Sequence, residues 1–272
     1  MRLTDTIERQ YSLCSDPADR REWRVAVLRE DVSRGGSRYV HDELRPGGLL
    51  PVRGPINNFE LAPADRYVFV AGGIGITPIL PMLAAARRRA VPWRLAYLGR
   101  SAPRMAFIAS PLLAAPEAEL FASEATGRVD LADWIGLVEA GTGVYGCGPR
   151  SMLDELQQLA TRWPAGALHV ERFQPAVPLQ RSNAGSFTVE CKRSALSLVV
   201  APGESILQTI EDAGIDLPSS CREGVCGTCE TRLIDGVAEH RDSILSADER
   251  AANDTMMICV SRARTPQLVL DV

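Results

Sequence analysis

The sequence lacks internal repeats, low-complexity tracts and any cluster of histidines. Its 3 histidines, at positions 41, 169 and 240, do not have the spacing of metal ligands. The first ten residues, MRLTDTIERQ, include acidic side chains and no apolar segment, so they do not resemble a secretory signal. We therefore expect a cytoplasmic, reducing environment, in which cysteines serve purposes other than disulfide bonds.

Long apolar runs are also scarce, and one uncharged segment, residues 67–86, reaches the length of a membrane span. It is interrupted by glycines and prolines, namely Gly72, Gly73, Gly75, Pro78 and Pro81. These residues favour a strand, a glycine turn and a helix, with a membrane span as the alternative. We expect no membrane association.

Length and composition indicate a folded protein of two or three domains, since the chain has 272 residues. Hydrophobic residues at 46%, charged residues at 24% and a mean hydropathy of −0.04 exclude global disorder, collagen and a coiled coil. The net charge of −4 provides no general attraction to nucleic acid. The charge is uneven, because residues 185–272 contain 8 basic and 14 acidic side chains, a net charge of −6.

Four of the 7 cysteines lie in the last quarter of the chain: Cys221, Cys226, Cys229 and Cys259. The pattern is C-x4-C-x2-C followed by 29 residues and the fourth cysteine, which is the spacing of plant-type [2Fe-2S] sites. Two irons bridged by two sulfides need four thiolates. Gly224 and Gly227 would let the loop curl tightly and bring N–H groups to the sulfurs.

Other uses of these cysteines stay open on the residues alone. A structural zinc site usually takes two C-x2-C pairs, and Cys226 and Cys229 form only one. A redox dithiol made of that pair would leave Cys221 and Cys259 without a role. Four unrelated buried cysteines are a further alternative. Two others, Cys14 and Cys191, are expected to be small apolar fillers.

The residues around the cysteines predict a small sheet with one helix. Segments 186–191 and 196–200 alternate like a hairpin, and residues 205–213 have apolar side chains at helical spacing. The stretch GESILQTIEDAGIDLPSSCREGVCGTCETRLIDG resembles a plant-type ferredoxin. The resemblance implies a β-grasp domain over residues 185–272 that holds a [2Fe-2S] cluster.

A second motif joins an apolar run to a glycine turn. The run RYVFVA at 66–71 predicts a buried parallel strand, and GGIGITP follows at 72–78. We expect a helix to start there, with Thr77 as its cap, Pro78 as its first residue and the arginines at 87–89 near its C-terminal dipole. Glycines before a helix let N–H groups approach a pyrophosphate, which predicts an anionic dinucleotide, with a purely structural turn as the alternative.

Further strands at 93–98 and 144–147 and a helix at 151–162 predict a doubly wound parallel sheet, with ligands at the carboxyl ends of its strands. GGIGITP and the later CGP motif resemble the pyridine-nucleotide domain of the ferredoxin-NADP reductase superfamily. The resemblance implies that Gly73 and Gly75 bind the pyrophosphate, that Thr77 lies near the nicotinamide and that Cys147 lies by the hydride-transfer site. Gly148 of the same motif is expected among the cofactor-binding residues. Arg100 and Ser101, which follow the strand at 93–98, are expected to face the adenosine ribose. A small residue at a strand end is the alternative for the cysteine. NADH is favoured, and NADPH stays open.

Near the N-terminus, Arg9, Tyr11 and Ser12 form an Arg-x-Tyr-Ser motif. The motif resembles the flavin-binding barrel of the same superfamily. The resemblance implies that Tyr11 stacks on the flavin ring and that Ser12 hydrogen-bonds near its reactive nitrogen. Arg9 would meet the phosphate or the ring.

The rest of the front segment is expected to form a partial antiparallel barrel, with strands at 23–29 and 49–53. A turn between them offers Gly36, Ser37 and Arg38 to one phosphate, as in FMN, with an ordinary surface turn as the alternative. The eight residues before Arg9 are fewer than the family barrel places there. We therefore expect an N-terminally incomplete barrel with unpaired edges, so that either the chain starts late or flavin is held weakly.

The order of barrel, nucleotide domain and ferredoxin resembles that of the phthalate dioxygenase reductase and vanillate demethylase reductase family, across nearly the whole chain. The expected fold is multidomain α/β and β: a partial antiparallel flavin-binding barrel at 1–64, a doubly wound nucleotide-binding domain at 65–173, a linker at 174–184 and a β-grasp ferredoxin domain at 185–272. Phe173 matches an aromatic residue that covers the flavin in such enzymes, with core packing as the alternative.

The resemblance implies an NAD(P)H-dependent oxidoreductase whose catalytic residues are Ser12, Thr77 and Cys147. FMN would convert the electron pair of a nicotinamide into single electrons for the cluster. The sequence has no haem signature and no 2-His-1-carboxylate candidate, so electrons are expected to pass to another protein, by resemblance a Rieske-type terminal oxygenase. An iron-sulfur carrier or redox sensor with a non-functional flavin domain is the alternative, and a self-sufficient oxygenase component is a third hypothesis.

Overall fold

The computed structural model describes residues 1–32, 34–175 and 185–272. They divide into two compact units, of which unit 1 contains Met1–Ile7 and Tyr11–Arg172, and unit 2 contains Glu8–Gln10 and Phe173–Val272. Most of the predicted linker at 174–184 lies outside the described residues. The predicted boundary between residues 64 and 65 stays a prediction, because unit 1 spans it.

Unit 1 is built on a sheet of five parallel strands in the order β3-β2-β1-β4-β5. The strands are β1 (Arg66–Gly72), β2 (Trp93–Gly99), β3 (Ala118–Ala122), β4 (Thr142–Cys147) and β5 (Leu168–Glu171). Alternate residues of β1 enter two different apolar cores, Tyr67 and Phe69 on one face and Val68 and Val70 on the other. Both faces are therefore covered, which explains the continuous apolar runs of the central strands. The predicted strands at 66–71, 93–98 and 144–147 are confirmed.

Among the residues that the structure describes, five α-helices accompany these strands: α1 (Gly36–Asp42), α2 (Ile76–Arg88), α3 (Ser123–Thr126), α4 (Leu131–Ile135) and α5 (Arg150–Ala160). The predicted helices after the glycine turn and at 151–162 are confirmed. The prediction that Thr77 caps α2 is wrong, because Gly75 is the N-cap and the Thr77 hydroxyl donates to the carbonyl of Ile74 at 2.9 Å. A 3-10 turn at Gly73–Gly75 leads into α2, which begins at Ile76, so Pro78 is the third residue of the helix and not the first.

The front of unit 1 differs from the sequence prediction. The predicted strands at 23–29 and 49–53 are wrong, since one isolated antiparallel bridge, between Leu13 and Val25, is the β-structure found around them. A strand needs a continuous ladder of partners, and the partners of this segment are scattered. The predicted turn at 35–38 also differs, because Gly36, Ser37 and Arg38 form the first turn of α1.

Unit 2 contains a mixed sheet in the order β10-β8-β12-β6-β7 and a two-stranded pair β11-β9. The strands are β6 (Phe187–Cys191), β7 (Leu196–Val200), β8 (Glu230–Asp235), β9 (Ala238–Glu239), β10 (Thr255–Met257), β11 (Arg262–Ala263) and β12 (Gln267–Leu270), and the helices are α6 (Ile206–Asp212) and α7 (Ala247–Ala252). The predicted hairpin is confirmed by the antiparallel pairing of β6 and β7. Ser205 caps α6, which buries Ile206 and Ile210 against the sheet. This is the expected β-grasp arrangement.

The uncharged segment at 67–86 folds into β1, the glycine turn and α2, as predicted. Within the described ranges, no helix combines the length and the apolar character needed to cross a bilayer.

Candidate functional site

The order of the strands in unit 1 creates a gap in which a ligand can bind. The chain runs from β1 outward to β3 and then returns to the other side of β1 as β4, so the direction of the connections reverses between β1 and β4. In open α/β sheets, ligands bind at such a switch point, beyond the carboxyl ends of the strands. Here those ends are Gly72 and Cys147, and Ala71 is the register partner of Cys147.

Glycine is required at this point because the chains nearly touch. A Cβ on Gly75 would lie 2.2 Å from the carbonyl oxygen of Cys147, and one on Gly148 would lie 2.8 Å from the backbone nitrogen of Gly72. Gly73 adopts a φ of 54°, in the left-handed region that other residues rarely enter. The Tyr97 hydroxyl donates a hydrogen bond to the carbonyl oxygen of Gly73 at 3.2 Å and stabilises the turn. The turn therefore presents bare backbone to the gap, which suits a pyrophosphate.

Three polar side chains meet at the same edge of the sheet. The Ser12 hydroxyl donates to Glu171 Oε2 at 3.2 Å, although the two residues are 159 positions apart in the chain. Cys147 Sγ lies 4.0 Å from the same carboxylate oxygen. The structure thus brings together two of the three predicted catalytic residues, Ser12 and Cys147. The third, Thr77, is 2% exposed and directs its hydroxyl to Ile74.

The protonation states at this edge depend on burial. Burial raises the pKa of Glu171 to about 7, and the hydrogen bond from Ser12 opposes the rise. Burial and the neighbouring Glu171 charge raise the pKa of Cys147 well above its usual range. The cysteine therefore stays a neutral thiol, while the carboxyl group exchanges its proton near neutral pH.

Sequence reasoning missed Glu171. The one feature that could have indicated Glu171 is its position at the end of β5. Its register partner there is Cys147, the last residue of β4. A carboxylate after a short apolar strand is common, so the pairing of β4 with β5 is needed to reveal its role.

The other predicted ligand residues lie in several places. Arg100 is exposed and Ser101 half-buried, just beyond the carboxyl end of β2. Tyr11 is half-buried in unit 1, whereas Arg9 belongs to unit 2 and donates to the carbonyl of Glu8 at 2.7 Å.

The two remaining candidates of the flavin set differ in exposure. Ser37 is buried, and its hydroxyl accepts a hydrogen bond from the backbone N–H of Glu30 at 3.3 Å. Its neighbour Gly36 is also buried, whereas Arg38 is exposed. Phe173 is 40% exposed, so core packing, the alternative for this residue, does not describe it.

The four clustered cysteines of unit 2 form two pairs. The Cys221 thiol donates to Cys226 and lowers the pKa of Cys226 to about 5. Cys259 makes the same contact with Cys229 and lowers its pKa below the usual range. Each pair therefore favours a thiolate, the form that binds metal.

The loop around the first pair directs backbone N–H groups at the sulfurs. The Glu223 nitrogen donates to Cys221 Sγ at 3.3 Å, and the Gly224 backbone donates to Cys259. Gly224 and Gly227 have φ values of 69° and 72°, as their sequence positions predict. A Cβ on Gly224 would lie 2.6 Å from the Val260 side chain, so the loop lies tightly against the fourth cysteine's segment.

This donor set fits a [2Fe-2S] cluster better than the alternatives. A structural zinc site usually takes two C-x2-C pairs, and Cys226 and Cys229 form the single such pair among these four cysteines. Cys226 contacts Cys221 rather than Cys229, which disfavours a C-x2-C dithiol. The two thiol pairs would supply the four thiolates that a [2Fe-2S] cluster needs.

Comparisons with known proteins agree with a [2Fe-2S] domain and a nucleotide-binding domain in this chain. Residues 189–264 match the model of the 2Fe-2S iron-sulfur cluster binding domain. The chain is 41% identical over 271 residues to the phthalate 4,5-dioxygenase oxygenase reductase subunit of Pseudomonas putida, covering 97% of this chain and 82% of that protein. A solved structure of phthalate dioxygenase reductase, described as modular for electron transfer from pyridine nucleotides to [2Fe-2S], has a TM-score of 0.66 and 36% identity, with 96% of this chain and 83% of that chain covered.

A longer protein is also similar. The structure of an intact type IV self-sufficient cytochrome P450 monooxygenase has a TM-score of 0.89 and 43% identity over 98% of this chain. The match spans 35% of that chain. Because reductase subunits align with 97% of its length at 41% identity, the chain belongs to the phthalate dioxygenase reductase family and is an NAD(P)H-dependent flavin and iron-sulfur oxidoreductase.

Proposed function

We propose that this chain transfers electrons from NADH through FMN to a [2Fe-2S] cluster and on to a Rieske-type terminal oxygenase. The observation that carries the proposal is the convergence of Ser12 and Cys147 on Glu171 at the switch point of the nucleotide-binding sheet. Hydroxyl, thiol and carboxyl groups at this edge suit a reaction in which a nicotinamide ring meets a flavin ring.

The chain's own residues position these rings. Gly73 and Gly75 leave room for the pyrophosphate at the start of α2, because a side chain on Gly75 would collide with Cys147. The neutral Cys147 thiol is fully buried at the end of β4, so it fills the space beneath the proposed nicotinamide position without adding a charge. Glu171 fixes the Ser12 hydroxyl through a hydrogen bond, and Ser12 is proposed to hydrogen-bond near the reactive nitrogen of the flavin. Flavin bound there supplies the conversion of an electron pair into single electrons.

Arg9, Tyr11, Gly36, Ser37 and Arg38 are proposed to hold the flavin, with Phe173 covering it. Buried Ser37 and exposed Arg38 occupy the first turn of α1. We likewise propose that Thr77 lies near the nicotinamide, that Gly148 contacts the bound nucleotide, and that Arg100 and Ser101 face its adenosine ribose. These residues lie near the carboxyl ends of the strands, which supports the proposal. The proposed domains keep the boundaries predicted above.

The cysteine pairs of unit 2 are proposed to hold the cluster. Backbone donors at Glu223 and Gly224 stabilise negative sulfur, which favours the reduced form of a bound cluster. Within unit 2, Gln10 Nε2 donates to Thr228 Oγ1 at 3.0 Å and fixes the Glu8–Gln10 segment on the cysteine loop.

The acidic surface of unit 2 supports docking on a basic partner. Fewer acidic side chains are available for docking than the net charge of residues 185–272 indicates, because some of them form ion pairs within unit 2. Glu211 pairs with Arg222 at 2.8 Å, and Glu239 pairs with Arg241 at 2.8 Å. Paired charges contribute little to steering. The exposed acidic residues that remain for docking include Asp216 and Asp235.

The test uses chain loaded with FMN, iron and sulfide under anaerobic conditions. NADH is expected to bleach both flavin and cluster absorption. Cys259→Ala should lose NADH-driven reduction of cytochrome c, which needs the cluster, and keep reduction of ferricyanide, which the flavin supports directly. Cys191→Ala is the matched control, since Cys191 is buried in the same core but lies on β6 and is not one of the four clustered cysteines. Loss of neither activity in Cys259→Ala would contradict the cluster assignment.

A haem protein is the second candidate acceptor, because the self-sufficient P450 matches 98% of this chain with a TM-score of 0.89. The two candidates differ in a direct competition. Stopped-flow reduction of a Rieske oxygenase is expected to be faster than reduction of a P450 haem domain. The opposite order would favour the haem partner.

A further inference from the structure

Unit 1 contains a cavity of about 560 Å³ beside α2. Its lining combines three cations, Arg24, Arg87 and Arg88, and one carboxylate with apolar side chains that include Leu80, Ala84 and Phe107. We call it the arginine cavity. Its volume lies in the range of sites that bind small molecules. None of these six residues takes part in the redox sites described above.

The cavity is separate from the nucleotide site. α2 has 13 residues, so at about 1.5 Å per residue its two ends lie about 20 Å apart. The glycine turn precedes the first end, and Arg87 and Arg88 lie in the last turn at the other. Among the α2 residues of the lining, Leu80 lies nearest to the turn and Arg87 lies near the opposite end, so a ligand bound at Arg87 contacts α2 away from the pyrophosphate turn.

Three segments of unit 1 form the walls. α2 provides one wall, and the bridged segments around Leu13 and Val25 provide the second, where the Cys14 nitrogen donates to the Arg24 carbonyl at 2.8 Å. The loop after β2 provides the third. In that loop Phe107 has a φ of 61°, in the left-handed region that non-glycine residues seldom occupy. Such strain persists where the surroundings determine the loop's shape, and it is common at ligand sites.

The charges of the cavity do not balance. Arg88 pairs with Asp16 at 2.5 Å, and Arg24 pairs with Glu22 at 2.6 Å. Among the residues that the structure describes, Arg87 has no acidic partner within ion-pair distance. Its guanidinium therefore offers free donors at the rim of an apolar hollow. A guanidinium binds planar oxyanions with two parallel hydrogen bonds.

We propose that the arginine cavity binds a small aromatic carboxylate. The ring packs against Leu80, Ala84 and Phe107, and the carboxylate binds Arg87. Aromatic faces and aliphatic side chains both gain from contact with an apolar ring, whereas a purely inorganic anion would leave that surface exposed. Because the positive charge of Arg87 is not balanced by an acidic partner in the described part of the chain, the cavity should bind a carboxylate more tightly than the corresponding neutral amide.

Binding is measured by calorimetric titration of the holoprotein with benzoate and 1-naphthoate, and with benzamide as the uncharged probe. Both acids are expected to saturate one site, with benzamide at least tenfold weaker. Arg87→Gln should weaken the acids at least tenfold. Arg89→Gln, at the C-cap of the same helix and outside the lining, should leave their affinity unchanged. Absence of saturation by both acids up to about 10 mM, or equal weakening by both variants, would overturn the proposal.

A second variant locates the ring. Arg87 also lines a smaller hollow of about 310 Å³ with Trp93 and Glu117, which Ala84 does not line. Ala84→Phe fills the arginine cavity alone, so it should abolish binding while NADH-driven ferricyanide reduction stays at the wild-type rate. If that variant fails to fold, Ala84→Leu replaces it. Binding that survives a folded variant at this position would place the acid in the other hollow and refute the assignment.

Discussion

Replacing Glu171 by glutamine tests the chemistry at the strand edge most directly. The pKa of Glu171 is raised to about 7 by burial, so the carboxyl group loses its proton within the working range. As a nicotinamide gives up hydride its ring becomes positive, and an ionised carboxylate nearby stabilises that charge. We expect flavin reduction by NADH to accelerate from pH 6 to pH 8 in the wild type. Glu171→Gln keeps an acceptor for Ser12 but cannot ionise, so its rate should be flat.

The size of the effect follows from the geometry. Glu171 ends β5 beside the end of β4, and a nicotinamide ring bound beyond these strand ends would lie about 5 Å from its carboxylate. At an effective dielectric constant of about 20, two unit charges at that distance interact by about 3 kcal/mol, and a half-developed charge by about 1.5 kcal/mol. This amounts to about tenfold in rate at pH 8. At pH 6 the carboxyl group is mostly protonated, so the two proteins should differ by only about twofold.

The assay is anaerobic stopped-flow reduction of FMN-loaded protein between about pH 5.5 and pH 9. Glu155→Gln, a carboxylate of α5, is the matched control and should follow the wild-type profile. A wild-type rate that does not rise through pH 7, or a variant that retains the rise, would refute the reasoning.

The same residue predicts a stability effect. Since the folded pKa lies above that of the unfolded chain, the folded state binds the proton more tightly. Protonation of Glu171 therefore stabilises the folded state. This stabilisation is complete below about pH 4.5 and is lost as pH rises to about 7, which lowers the free energy of unfolding by at most about 3 kcal/mol. Denaturant unfolding of Glu171→Gln should lack this loss, and a parallel pH dependence in both proteins would argue against a buried carboxyl group.

Three further outcomes follow from particular contacts. Gly75→Ala should abolish NADH-driven ferricyanide reduction, because its Cβ would lie 2.2 Å from the Cys147 carbonyl oxygen; activity near wild type would contradict the close approach. Ser246→Ala should lower the stability of unit 2 to urea by about 1 kcal/mol, because the hydroxyl completes a capping box at α7, and an unchanged midpoint would show that the cap contributes nothing. Raising ionic strength to about 0.5 M should slow transfer to the oxygenase more than flavin reduction, with a weaker response in a combined Asp216→Asn and Asp235→Asn variant; equal slowing of both steps would exclude electrostatic docking.

Local patterns explain why much of the fold is predictable. The run at 66–71 is apolar at every position after its first residue because both faces of β1 are covered. Two of the glycines after it, Gly72 and Gly75, are required because a side chain there would collide with neighbouring atoms, whereas Gly73 is favoured by its positive φ. The front segment shows the opposite case. Alternation at 23–29 predicts a strand, but a strand depends on partners, and around this segment the structure supplies one bridging pair, Leu13 with Val25.

The sequence by itself determined the chemistry of the cluster site, because three of its cysteines lie within nine residues and their spacing limits how the loop can close. Only the tertiary structure decided the chemistry at the strand edge. Glu171 gains its raised pKa from burial, and its contacts with Ser12 and Cys147 from the pairing of β4 with β5. Residues 159 positions apart become neighbours only when a sheet brings them together, and a carboxyl group titrates near pH 7 only when the same packing removes it from water.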